Sequence, residues 1–153
     1  VVSMERFDLM ELLRTFMESM ELLTKQSGIT VRLDGQESCY VWADEFKTEE
    51  MIRNYFSNAM NFCKGEKVIH VKTTILGGKV RVSVFNTGDP IPEEAVPHLW
   101  EKFYKVDKAR TREYGGSGVG LSIVKAIAES MNQEYGVINY ENGVEFWFTL
   151  ELQ

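Results

Sequence analysis

Residues Gly115-Gly116-Ser117-Gly118-Val119-Gly120-Leu121 place four glycines in six positions, directly ahead of a helical pattern. Stripped of side chains, backbone N–H groups can approach an anion at a helix start, where the dipole also favours negative charge. The chemistry this supports is a phosphate cradle, which points to a nucleotide. The hydrophilic stretch from Lys105 to Tyr114, not a strand, precedes the glycines. That speaks against a dinucleotide-binding βαβ unit. No Lys-Ser/Thr pair follows the glycines, so the segment is not a P-loop.

A second set of polar residues is Asn54, Asn58 and Asn61, spaced i, i+4 and i+7. On a helix they form one stripe, expected roughly opposite the apolar face of Ile52, Tyr55, Phe56, Ala59 and Cys63. Most such stripes are simply solvated. Asparagine, however, is a poorer helix former than Lys, Glu or Gln. Its amide oxygen can ligate Mg²⁺ and its NH₂ can reach a phosphate. From the residues alone the two readings stand level. Phe62 flanks the stripe and can stack on a purine, although core packing is the commoner fate of a phenylalanine. Asn86-Thr87-Gly88-Asp89-Pro90-Ile91-Pro92 ends a run of alternating valines. There Gly88 permits close backbone approach and Asn86 offers an amide oxygen to an exocyclic amine. A plain turn leaving a strand is the ordinary reading of that segment.

The elements that must position these residues follow from periodicity. Leu9 to Gln26 predicts a helix, with Leu9, Leu12, Leu13, Phe16, Met20 and Leu23 at helical spacing and Gly28 as its stop. Ile29–Leu33 and Cys39–Ala43 read as strands joined by a turn at Asp34-Gly35. Lys47 to Cys63 is the second helix. Val68–Leu76 and Lys79–Phe85 form a hairpin around Gly77-Gly78, with Val80, Val82 and Val84 on a buried face. Glu93 to Trp100 is expected to be a short helix limited by Pro97. A third helix carries Leu121, Val124, Ala128 and Met131. Glu134–Ile138 and Val144–Leu150 close the chain as a hairpin around Asn142-Gly143. The fold class is therefore α+β: a two-layer α/β sandwich, with three helices on a mixed, mostly antiparallel sheet.

The 153 residues suit one domain able to build a core without staples. A net charge of −6 argues against nucleic acid as the partner and implies that a polyphosphate arrives with a cation. Cys39 and Cys63 lack metal-ligand spacing and are expected to be free thiols. No apolar run approaches a membrane span. The chain opens on Val1, as a fragment of something longer does.

The order of motifs resembles the sensor histidine kinases. Asn54-Tyr-Phe-Ser-Asn58-Ala resembles their N box. Val84-Phe-Asn86-Thr-Gly88 with Ile91-Pro92-Glu93-Glu94 resembles the G1 box. Trp100-Glu-Lys-Phe103-Tyr104 resembles the F box, and Gly116-Ser-Gly118-Val-Gly120-Leu121 the G2 box. The match runs from about Phe7 to Leu150. The resemblance implies a Bergerat-type ATP-binding fold over residues 1–153, with ATP and Mg²⁺ as cofactors. It implies that Asn58 holds the metal, that Asn54 supports it, and that these two are the catalytic pair. Asn86 takes the position of the adenine-reading Asp, with Gly88 and Ile91 beside it. Phe62 takes that of an aromatic stacked on adenine. Gly116, Ser117, Gly118, Val119, Gly120 and Leu121 line the phosphates. Lys105 to Tyr114 becomes a lid anchored by Phe103, with Lys105, Arg110 and Arg112 as candidates for the γ-phosphate.

Three positions depart from that pattern. Asn86 replaces the usual Asp. Asn61 stands where a phosphate-binding Lys or Arg is common, with Lys64 as a substitute. Pro90 replaces a glycine. Hydrolytic relatives carry a Glu where Asn54 stands, and an amide cannot take a proton from water. The expected reaction is therefore γ-phosphoryl transfer to an external acceptor. The resemblance makes that acceptor a histidine on the dimerisation domain of the same full-length kinase, with a response regulator downstream. His70 and His98 read as structural, so the monomeric piece should barely phosphorylate itself. The expected location is the cytoplasmic side of a membrane-anchored sensor. A degenerate, non-catalytic docking module of the same fold and a stand-alone ATPase are the alternatives. Trp100, Phe103 and Tyr104 are candidates for exposed docking aromatics.

Overall fold

The computed structural model describes residues 1–102 and 120–153. Three helices, α1 (Leu9–Gln26), α2 (Glu45–Phe62) and α3 (Gly120–Ser130), pack on one face of a seven-stranded sheet. The strands are β1 (Glu5–Asp8), β2 (Thr30–Asp34), β3 (Tyr40–Ala43), β4 (Val68–Leu76), β5 (Lys79–Thr87), β6 (Tyr135–Tyr140) and β7 (Gly143–Leu152). Their order is β1-β3-β7-β5-β4-β2, with β6 also paired to β7. Only the β2–β4 pairing is parallel; β1–β3, β3–β7, β4–β5, β5–β7 and β6–β7 are antiparallel.

The expected fold class holds, and most elements fall where periodicity puts them. Asp8 caps α1 by accepting from Met10 N–H, and the same oxygen accepts from Cys39 N–H at 2.9 Å. One carboxylate thus pins the helix start to the approach of β3. Asp44 caps α2 by accepting from Lys47 N–H at 3.0 Å, which moves the start of that helix to Glu45 from the expected Lys47. Register stacks Val80, Val82 and Val84 of β5 against Leu150, Phe148 and Phe146 of β7. With Val41, Ile69 and Val71, these six side chains form much of the sheet's share of the core, which also holds Leu13, Phe16, Ile52, Tyr55 and Phe56 of the helices. Tyr55 also donates its hydroxyl to Trp147 C=O at 2.9 Å, tying α2 to β7.

Four expectations are corrected. β2 and β3 exist, but they lie at opposite sides of the sheet, so Asp34-Gly35 begins a crossing and not a tight turn. A Cβ on Gly35 would collide with Thr73 Oγ1 on β4, and Thr73 donates to Gln36 Oε1 at 2.8 Å. Gly35 is therefore required by the close passage over β4. The helix expected over Glu93–Trp100 is reduced to a 3₁₀ turn at Val96–His98, with Pro97 inside it. Trp100 is not an open docking aromatic. Its ring packs edge-on against Tyr135, Phe146 and Tyr55, with centroids 4.8, 5.7 and 6.4 Å apart. Strand β1, with only Phe7 buried, was not anticipated.

His70 and His98 are partnered as structural residues are: His70 Nε2 with Asp34, and His98 Nδ1 with Glu101 at 2.8 Å. Cys39 and Cys63 are free and buried, and burial pushes both thiols up from their usual range.

Candidate functional site

The second half of α2 carries Asn54, Asn58 and Phe62 down one side of the helix. The end of β5 brings Asn86 to the same place, and the following segment returns Ile91 over it. Together with Asp89, Leu99, Leu121, Val144 and Phe146, the residues Asn58, Phe62, Asn86 and Ile91 line a small recess. Val144 and Phe146 of β7 form its floor, and Leu121 belongs to the first turn of α3. Sequence reasoning missed Asp89, Leu99, Val144 and Phe146. For the last two the signal is only that β7 alternates, which does not say which buried residues meet a hollow.

Each polar residue has a distinct hydrogen-bonding state. Asn86 is 2% exposed. Its Nδ2 donates to Thr87 C=O at 3.1 Å, which leaves Oδ1 to the recess. Asn54 Nδ2 donates to Glu50 C=O at 2.9 Å, one helical turn back. Its Oδ1 lies 3.1 Å from where a Cβ on Gly120 would stand, so Asn54 faces the start of α3. Asn58 is half-buried, and its amide has no hydrogen-bond partner among the described residues. Three amides that look equivalent by spacing are therefore different groups. Asn54 is anchored and Asn58 is unengaged. Asn61 is exposed and, like Asn54, lies outside the recess lining. The stripe runs roughly opposite the buried face of Ile52, Tyr55, Phe56 and Ala59, and Asn58 shares the recess lining with Val144 and Phe146.

Gly88 fixes the wall between α2 and β5. Its φ is +151°, and a Cβ there would stand 2.6 Å from Phe62 C=O. Lys64 N–H donates to Thr87 C=O at 2.9 Å, and Gly88 N–H to Asn142 C=O at 3.0 Å. These bonds lock the end of α2, the end of β5 and the β6–β7 turn into one frame. Lys64 Nζ lies 3.7 Å from Asp89, at the edge of the recess, so the substitute cation is near the site but already paired with a carboxylate. Phe103, Lys105, Arg110, Gly116, Ser117, Gly118 and Val119 lie outside the described residues, as do Tyr104 and Arg112.

A wider groove lies between α1 and β2, lined by Met17, Glu18, Glu21, Ile29, Val31 and Leu33 among others. Its lining sets Glu18 and Glu21 against one cation, Lys25, already paired with Glu21, and the net negative charge disfavours a polyphosphate. The smaller recess joins an apolar slot to unengaged amides, as a nucleotide site requires. No cluster of three His, Cys, Asp or Glu side chains able to hold a metal occurs among the described residues. The oxygen donors in the lining are the amides of Asn58 and Asn86 and the Asp89 carboxylate, the last paired with Lys64. That suits a Mg²⁺ carried in by phosphates and keeping most of its waters, not a resident ion in a protein cage.

The family described as histidine kinase-, DNA gyrase B-, and HSP90-like ATPase matches residues 43–153. The sensor histidine kinase YkoH of Bacillus subtilis is 36% identical over 136 residues, covering 89% of this chain and 29% of YkoH. The chain thus spans less than a third of that relative's length. The catalytic domain of histidine kinase ThkA superposes with a TM-score of 0.86 at 29% identity, over 97% of this chain and 95% of that one. ThkA in complex with its response regulator TrrA gives 0.85 at 28% identity, over 100% of this chain and 43% of that one. Full-length ShkA in complex with AMPPNP gives 0.86 at 27% identity, over 99% of this chain and 32% of that one. This chain belongs to the histidine kinase-, DNA gyrase B- and HSP90-like ATPase family, as an ATP-binding catalytic domain of the histidine kinase kind.

Proposed function

We propose that the domain binds Mg-ATP with the base in the recess and presents the γ-phosphoryl group to a histidine on the dimerisation domain of the same full-length kinase. The observation that carries this is Asn58: an unengaged amide at the mouth of an apolar slot. The triphosphate then runs out past Asn58 towards the start of α3, with the glycine segment ahead of it. Mg²⁺ supplies charge neutralisation on the phosphates. Asn58 Oδ1 is the protein's ligand to it. Asn86 Oδ1 accepts from the exocyclic amine of adenine, an orientation favoured by the Nδ2 bond to Thr87 C=O. Phe62 and Ile91 flank the ring and exclude water.

Asn54 stands where a hydrolytic enzyme needs a base. An amide whose nitrogen is tied to Glu50 C=O cannot activate water, which favours transfer over hydrolysis. Asn54 then orients the start of α3 beside the phosphates. ShkA with AMPPNP supports the nucleotide, and ThkA with TrrA supports a response regulator as the downstream partner. The reading places the domain on the cytoplasmic side, where ATP is available.

Calorimetry with Mg-ATP tests the site, and labelled ATP with a cognate dimerisation domain added in trans tests the chemistry. Wild type should bind ATP, and Asn58→Ala should weaken binding at least tenfold, the equivalent of about 1.4 kcal/mol or more. Label should appear on the added histidine. Equal affinity of wild type and Asn58→Ala would refute the assigned site. Steady phosphate release without an acceptor would refute transfer.

A further inference from the structure

Asn139 sits near the end of β6, outside the recess, and nothing in the motifs points to it. Its side chain nevertheless reaches the site loop. Ile91 N–H donates to Asn139 Oδ1 at 2.9 Å, and Asn139 Nδ2 donates to Ile91 C=O at 2.8 Å. The carboxamide therefore binds both polar groups of one residue, 48 positions away in the chain. It acts as one more peptide unit would at the edge of a ladder. The residue so held is the one whose side chain, 7% exposed, walls the recess.

The surroundings explain why a clamp is needed there. Pro90 and Pro92 flank Ile91, and proline has no N–H to donate. The loop has left β5 at Thr87 and is not itself part of a strand. Its neighbouring ties are Gly88 N–H to Asn142 C=O at 3.0 Å and a local turn from Ala95 N–H to Pro92 C=O at 2.9 Å. Asn139 and Asn142 both come from the β6–β7 hairpin. That hairpin grips the loop at Gly88 and again at Ile91, and its other strand supplies Val144 and Phe146 to the recess floor. Floor and wall are thus set by one element.

We propose that Asn139 is a positioning residue for nucleotide recognition: by bonding Ile91 at both polar groups it fixes the wall against which the base packs. The inference rests on the reading of the recess as the base site. Asn139 lies outside the recess lining, so its effect passes through Ile91. Losing the clamp should loosen base binding and leave phosphoryl transfer at saturating ATP intact.

The test compares wild type, Asn139→Ala and Asn139→Asp in the kinase as it exists, full length. Readouts are Mg-ATP affinity, KM and kcat for phosphorylation, thermal midpoint, and amide exchange at Ile91. Asn139→Ala loses two hydrogen bonds to a partly solvated loop, and ATP affinity should fall about five- to tenfold. KM should rise by the same factor while kcat changes less than twofold, and exchange at Ile91 should accelerate. Asn139→Asp keeps an acceptor for Ile91 N–H but presents no donor to Ile91 C=O, so it should weaken ATP binding as well. This second variant serves if the alanine variant does not fold. Faster exchange at Ile91 with ATP affinity unchanged within about twofold would overturn the positioning role. Equal losses in kcat, affinity and thermal midpoint would overturn it too, since those mark a general structural defect. Wild type that fails to bind ATP at all would bring down the base-site reading, and the inference with it.

Discussion

Gly88→Ala tests the frame around the recess most severely. At φ +151° a Cβ would stand 2.6 Å from Phe62 C=O and 3.4 Å from Asn86 Nδ2. Carbon atoms pack comfortably at about 3.5 Å or more, so nearly 1 Å of separation must be found. The obstructing atom is backbone at the end of α2, and it cannot swing aside. Lys64 N–H to Thr87 C=O and Gly88 N–H to Asn142 C=O hold both sides of the gap. Backbone strain in a conformation reserved for glycine costs about 1–3 kcal/mol, and forcing a methyl into a packed wall about 1–3 more. The expected loss is roughly 2–6 kcal/mol, which for a domain of this size lowers the thermal midpoint by about 4–24 °C. Phe62 and Asn86 form the two sides of the gap, so ATP affinity should fall with it. Circular-dichroism melting and an ATP titration, run where the variant is still folded, measure both. Gly28→Ala is the control. Gly28 also has positive φ, at +70°, but nothing lies within 4 Å of its Cβ position. That variant meets strain without collision and should lose only about 1–2 kcal/mol. A Gly88→Ala midpoint within about 2 °C of wild type, with unchanged ATP affinity, would refute the account of the recess wall.

Three further outcomes follow from single atoms. Thr48 is wholly buried in α2 and its Oγ1 lacks a hydrogen-bond partner among the described residues, so Thr48→Val should stabilise the domain by about 1 kcal/mol in denaturant unfolding. Tyr55→Phe removes the same kind of group where it is bonded, to Trp147 C=O, and should destabilise by about 1–2 kcal/mol. The contrast in sign is the check: loss in both variants would mean that Thr48 has a partner after all. At Asp44, burial pushes the carboxyl up. Bonds from Ser3 N–H at 2.8 Å and Lys47 N–H at 3.0 Å, with the Lys47 charge, outweigh this and hold it below its usual range. A lowered folded value means stability that is fully present above the unfolded carboxyl value of about 3.9 and is lost as pH falls through the folded one. The advantage of wild type over Asp44→Asn should therefore be constant above about pH 5 and fade below about pH 4, measured by urea unfolding across that range.

The sequence was legible wherever one residue pattern has one physical meaning. Leu9, Leu13 and Phe16 recur at helical spacing, and Leu9–Gln26 is a helix. Val80, Val82 and Val84 alternate beside Gly77-Gly78, and β4–β5 is a hairpin. Topology was not legible. Asp34-Gly35 between two short strands reads as a turn, yet the same glycine also suits a segment squeezed over Thr73, and the sheet uses the second. The four residues of β1, with Phe7 alone buried, are too few to show a period. Pro97 stops an α-helix from forming over Glu93–Trp100, and the segment settles into a 3₁₀ turn.

The same limit governs the site. Spacing puts Asn54, Asn58 and Asn61 in one stripe and gives no means of ranking them. Their ranking comes from what else each amide touches. Glu50 C=O lies one turn below Asn54 and takes its nitrogen, which turns the oxygen towards Gly120. Asn61 is left to solvent. Asn58, between them, is the one of the three that meets the recess with its amide unengaged. A helix repeats every 3.6 residues, but the surfaces that face it do not, and function follows the surfaces. Asn139 makes the same point from outside the motifs. An asparagine three residues before Asn142 reads as part of a hairpin turn, and only the return of Ile91 beside it gives that amide two bonds to make.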